Sequence, residues 1–162
     1  MLIRFLLLTC LLFPLELIAA PCEVLAKVSQ VEVRETGPEC KDIVLVVVAR
    51  DGTSIGSMRY EEIPQGLERF WVQSCDCYLW QVSGIGGAHT RIVRFFRENS
   101  ASALVEIKGG VFGSEIGRIS RSYRNKDLYV EVQDSVAGTN RLSTTRYRLR
   151  GDRFVKSDAP RT

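Results

Sequence analysis

The chain has 162 residues, 45% of them apolar and 25% charged, with 22 Lys plus Arg against 19 Asp plus Glu and a formal net charge of +3. These proportions belong to a folded globular chain and exclude a disordered, collagen-like or multi-span membrane protein. The single histidine, His89, restricts imidazole chemistry to one position and excludes a multi-histidine metal centre.

In chain order, the first segment is one for targeting. An apolar run from Phe5 to Leu15 follows Arg4 and leads to the small residues Ala19 and Ala20, the order of a secretory signal peptide. The run contains Pro14 and falls short of the roughly 20 apolar residues that cross hydrocarbon, so an integral membrane protein is not expected. Residues 1–20 are therefore expected to be removed, leaving 21–162 as a single all-β domain that is secreted or periplasmic.

Four cysteines remain: Cys22, Cys40, Cys75 and Cys77. In an oxidising compartment they form two disulfides, with three possible pairings. Acylation of Cys22 would leave an odd thiol and is disfavoured. Within a strand, Cys75 and Cys77 would share a face with Cα atoms about 7 Å apart, beyond easy bridging, which favours pairing each with Cys22 or Cys40.

Strand signals fill the rest. Val24 to Val33 reads as a strand, and Ile43 to Ala49 is a continuous apolar run that reads as a central strand buried on both faces. Gln65 to Trp71, after Pro64, is the one helical hint. Strands follow at Tyr78 to Val82, Arg91 to Phe96, around Val105 and Ile107, and at Glu115 to Tyr123. Alternation puts Leu128, Val130 and Val132 on one face and Tyr129, Glu131 and Gln133 on the other. Leu142 to Arg150 and Arg153 to Lys156 complete the set. The strands opening at Ile43, Tyr78, Ala103 and Leu128 each run into a loop rich in Gly or Asp, a repeating hairpin unit. Roughly ten to twelve strands of this kind make an all-β antiparallel meander, a sandwich or an incomplete propeller-like stack of hairpins, since a full propeller needs more.

The stretch from Trp80 to Tyr129, with SGIGGAH at Ser83 to His89 and a glycine loop leading to LYVEVQD, resembles the hairpin units of bacterial exported FG-GAP-like repeat proteins. The resemblance implies an extracytoplasmic all-β binding or structural module. It carries no calcium with it, because the loops at Asp51 and Asp134 hold one carboxylate each where those repeats have an Asp-rich loop.

Few residues offer chemistry. His89 follows a glycine loop and is a candidate binding residue. A small secreted hydrolase built on it lacks a nucleophile motif such as G-x-S-x-G. Cys75 and Cys77 could serve a thiol or metal protein with His89 as a third ligand, but export makes structural disulfides the better reading, and no metal or other cofactor is expected. Glu61-Glu62 is the only adjacent acidic pair, and adjacent residues do not face one another across a cleft, so these are expected to be solvated loop charges.

Charge is uneven along the chain. Residues 21–117 hold 10 basic and 13 acidic residues, whereas residues 118–162 hold 11 and 5. Within the basic third, Arg146, Arg148 and Arg150 alternate with Tyr147 and Leu149, so three guanidinium groups share one strand face while Tyr147 and Leu149 face the core. Such a stripe either guards a sheet edge or binds an anionic polymer or acidic protein surface. Nucleic acid is not an expected partner of an exported chain with so modest a charge. Arg150-Gly151-Asp152 spells a cell-adhesion tripeptide, although Gly-Asp is also what a two-residue hairpin turn requires.

These readings make the protein an exported non-catalytic binding or structural module. Intact mass of the secreted protein should show loss of about 20 N-terminal residues and, against the reduced form, four fewer hydrogens; free thiols at the cysteines would contradict this.

Overall fold

The computed structural model describes residues 22–99 and 103–157; the segment read as a signal peptide lies outside them. The fold is all-β. Among the described residues, twelve strands form three successive antiparallel meanders of four strands each. The first comprises β1 (Val24–Val28), β2 (Val31–Thr36), β3 (Asp42–Val48) and β4 (Ser54–Tyr60). The second comprises β5 (Ile63–Val72), β6 (Cys77–Ile85), β7 (Arg91–Glu98) and β8 (Leu104–Ser114). The third comprises β9 (Arg118–Arg124), β10 (Asp127–Ser135), β11 (Leu142–Arg150) and β12 (Arg153–Ser157).

The second and third meanders join into one curled eight-stranded sheet, ordered β5-β6-β7-β8-β12-β11-β10-β9. The junction is a single parallel pair, Arg153 with Lys108. Glycine makes it possible. Gly109 has φ +65, and a Cβ there would lie 3.0 Å from the Phe154 carbonyl oxygen, so only a bare backbone lets β12 approach this closely. The Lys108-Gly109-Gly110 segment is therefore an irregularity inside β8 and not a hairpin loop.

The two ends of the sheet are tied by side chains. Arg121 on β9 pairs with Glu68 on β5 at 2.6 Å and lies 4.0 Å from the centre of the Phe70 ring, while the Tyr123 hydroxyl donates to the Trp71 carbonyl at 3.3 Å. Inside the curl lies a core that includes Leu79, Val93, Phe95, Phe112, Leu128 and Phe154, with the rings of Phe95, Phe112 and Phe154 5.2–5.8 Å apart.

A second core lies between the first meander and the outer side of β6 and β7. Val31, Val33, Leu45, Val47 and Tyr60 pack there against Trp80, Val82 and Phe96. Strand alternation lets one hairpin serve both cores: Leu79, Val93 and Phe95 point one way, Trp80, Val82 and Phe96 the other.

Several expected elements are corrected. Val24 to Val33 is two strands, because Ser29 adopts φ +55 and turns the chain. Gln65 to Trp71 is strand, not helix; its pairing with β6, begun by a bulge between Pro64 and Gly66, overrides the local helical signal. The span from Glu115 to Tyr123 begins with a turn at Gly117, φ +72, before β9 starts at Arg118. The run from Ile43 lies inside its sheet as expected, with Leu45, Val46, Val47 and Val48 all buried.

Two ion clusters pin the layers. Glu62 is buried, contrary to its expected role as a solvated loop charge. It accepts from Arg94 Nε at 2.9 Å, and Arg94 Nη1 also donates to Glu106 at 2.9 Å. Burial works against the Arg94 charge, but the hydrogen bonds to both carboxylates prevail and hold the guanidinium above its ordinary range. Beside it, burial and the Glu62 charge push the Tyr60 hydroxyl up, so it stays protonated. Arg94→Met would strand Glu62 in the interior and should cost about 3–5 kcal/mol, measured as a lower urea midpoint.

Glu32, buried on β2, accepts from Lys27 at 2.7 Å and from Arg34. The Lys27 hydrogen bond holds its carboxyl below the ordinary 4.5, opposed by burial and helped by Arg34. A depressed carboxyl contributes stability above its unfolded value, and this is lost as pH falls through the folded one. Glu32→Gln should therefore lower stability by about 1–3 kcal/mol at pH 7. It should also lessen the fall in urea midpoint between pH 7 and pH 3.

Candidate functional site

The arginine stripe lies in the third meander, and β11 is an interior strand, with β10 on one side and β12 on the other. This overturns the edge-guarding explanation of Arg146, Arg148 and Arg150, because an interior strand has no free backbone groups to protect. Tyr147 and Leu149 face the inner core as expected.

Strand register assembles the outer face. Arg148 lies opposite Tyr129 and Val155, Arg146 opposite Glu131 and Ser157, and Arg150 opposite Arg153. Across β10, Asp127 lies opposite Arg124, Tyr129 opposite Ser122, Glu131 opposite Ser120 and Gln133 opposite Arg118. Paired residues share a face, so four strands present Arg118, Arg124, Arg146, Arg148, Arg150 and Arg153 together with only two acids, Asp127 and Glu131.

The face has a paired centre and an open rim. Arg146 bonds Glu131 through Nε at 2.7 Å, and Arg148 pairs with Asp127 while its guanidinium carbon lies 5.9 Å from the Tyr129 ring centre. These four charged side chains are half-buried and orient one another. Arg118, Arg124 and Arg150 are exposed and make no ion pair among the described residues, and the exposed Arg153 has Asp152 at 3.7 Å. Of the rim charges, Arg150 and Arg153 lie opposite one another on neighbouring strands, about 4.8 Å apart and within the Debye length of about 8 Å at physiological salt, whereas Arg124 lies two strands from Arg150 and Arg118 at the other end of β9.

The structure does not add His89 to this face. His89 ends a 3₁₀ turn (Gly87–His89) between β6 and β7, is exposed, adopts φ +65, and makes no hydrogen bond or ion pair among the described residues. Gly151 and Asp152 form the two-residue turn between β11 and β12, with Gly151 at φ +61 and Asp152 exposed.

The cysteines pair as Cys22–Cys40 and Cys75–Cys77, against the expectation that each of the latter would join one of the former. The reason is local. Residues 73–76 form a turn in which Asp76 adopts φ +48, and this draws the Cys75 and Cys77 Cα atoms to 5.2 Å, where an extended strand would hold them about 7 Å apart. Cys22–Cys40 fastens the start of the first meander to the turn before β3. With a separation of 18 residues, it constrains the unfolded chain by about 3 kcal/mol in a chain-entropy account, against roughly half as much for the Cys75–Cys77 ring.

Among the described residues no group of three or more His, Cys, Asp or Glu is placed to hold a metal ion, and no helix is long and apolar enough to cross a membrane. Searches of protein-family models, curated proteins and solved structures find no match to this chain.

Arg118, Arg124 and Arg153 were not part of the sequence-level stripe. The signal was there: Arg118, Ser120, Ser122 and Arg124 alternate with the apolar or inward-facing Ile119, Arg121 and Tyr123. A strand placed from Glu115 obscured it, and adjacency to β11 is a property of the sheet alone.

Proposed function

We propose that the protein is an exported, non-catalytic binding module that docks an anionic envelope polymer or acidic protein surface on the outer face of its third meander. One observation carries the reading: six arginines and two acids share an outer sheet face whose central strand has no edge to protect. Guanidinium groups suit such a ligand because their planar donors engage carboxylate, sulfate or phosphate oxygens in pairs. The paired centre holds Arg146 and Arg148 in place, and Arg118, Arg124 and Arg150 on the rim supply charge with no ion-pair partner among the described residues. The disulfides suit an oxidising, extracellular setting, which accords with export.

Heparin–agarose provides a polyanion probe. The variant Arg118→Ser, Arg124→Ser, Arg150→Ser, Arg153→Ser should elute at lower salt than the parent. Each lost contact should reduce the slope of log affinity against log salt by roughly 0.7–0.9, the value for counterion release from nucleic-acid phosphates. Arg146→Ser and Arg148→Ser should also lower stability, since Glu131 and Asp127 lose their partners. Unchanged elution of the rim variant would remove this face as the binding surface.

A further inference from the structure

We infer that the Cys75–Cys77 disulfide is a thiol–disulfide exchange site, an oxidising activity that goes beyond the non-catalytic binding proposed for the arginine face and does not depend on it. The hairpin that carries it has little need of a staple. β5 and β6 pair along their length from Ile63–Ile85 to Val72–Cys77, and Asp76 N–H closes the turn onto the Gln73 carbonyl at 3.3 Å. A bond between residues two apart adds little constraint to a turn already held in this way.

Its surroundings fit exchange. Both cysteines are half-buried and line a surface cavity with Arg97, Lys108, Glu106 and Asp152. Glu106 is engaged by Arg94 at 2.9 Å, and within the cavity Asp152 faces Lys108 at 3.9 Å. Arg97 makes no ion pair among the described residues, so the cavity holds an uncompensated cation beside the sulfur atoms, the setting that favours a thiolate. The β5–β6 ladder anchors the turn at the Val72–Cys77 pair, and the turn sets the two Cα atoms 5.2 Å apart, so the reduced sulfurs stay within reach of each other.

The partner is a dithiol. One of its thiolates attacks a sulfur of the Cys75–Cys77 bond, that S–S bond breaks, and the other cysteine leaves as a thiolate stabilised by the cations of the cavity. The partner's second thiolate then attacks the mixed disulfide and releases the partner as a disulfide. Two electrons and two protons pass from the partner to Cys75 and Cys77. A small-molecule disulfide such as glutathione disulfide takes them back and restores the bond.

The test uses the full mature chain. It is equilibrated with a graded glutathione redox buffer, quenched with a thiol-alkylating reagent and mapped by peptide mass, with tryptophan fluorescence followed in parallel. Cys75 and Cys77 should be alkylated under conditions that leave Cys22–Cys40 oxidised and the fluorescence native. The protein should also accelerate oxidation of a reduced two-cysteine peptide by glutathione disulfide. Cys75→Ser with Cys77→Ser should abolish the acceleration, and Arg97→Gln with Lys108→Gln should slow it by roughly threefold, the factor for a one-unit rise in thiol pKa. Reduction of both disulfides together, only as the fold melts, would overturn the inference whether or not the double-serine variant folds. Peptide oxidation at the uncatalysed rate would do the same.

Discussion

The β6–β7 hairpin is buried on both sides, and the rest of the molecule is arranged around that constraint. A strand pair that presents Leu79, Val93 and Phe95 on one face and Trp80, Val82 and Phe96 on the other must be covered twice. The curled eight-stranded sheet covers one face and the first meander covers the other. Two-sided burial fixes register, because a slip of one residue would exchange the two apolar sets and drive Trp80 and Phe96 into the space packed around Leu79 and Phe95.

The charged groups caught between these layers are paired locally. Arg94 leaves the same hairpin on its outer side and meets Glu62, in the connection from the first meander, and Glu106 on β8. A guanidinium flanked by two carboxylates is a costly thing to bury, but it is specific: it ties three segments that apolar contact alone would allow to slide. Gly84 belongs to the same arrangement. A Cβ there would lie 2.8 Å from the Ile63 carbonyl oxygen and 2.9 Å from the Tyr60 hydroxyl, so the bare backbone lets this corner close.

The two surfaces with chemical potential lie on different parts of the chain. The arginine face belongs to the outer side of the third meander, where half-buried ion pairs set a scaffold and exposed arginines supply charge. The cysteine turn belongs to the second meander, at the end of the β5–β6 hairpin. The cavity beside it is completed by Lys108 from β8 and by the Gly151-Asp152 turn of the third meander. The junction between β8 and β12 therefore brings a turn of one meander to the sulfur atoms of another.

Alternation and turn residues in the sequence determined the all-β class, the inner and outer faces of β10 and β11, the Gly-Asp turn before β12 and the interior place of the run from Ile43. These are local consequences of a two-residue period and of residues that accept positive φ. Tertiary structure decided the rest. Whether Arg146, Arg148 and Arg150 guarded an edge or formed the middle of a six-arginine face depended on which strands flank β11, and Glu62 became a buried ion-pair partner only when β7 and β8 closed over it. The Cys75–Cys77 pairing turned on a positive φ at Asp76, a residue type with no strong demand for it. Each of these outcomes rests on contacts between residues distant in sequence, or on backbone geometry imposed by a flanking ladder, and neither is encoded in local composition.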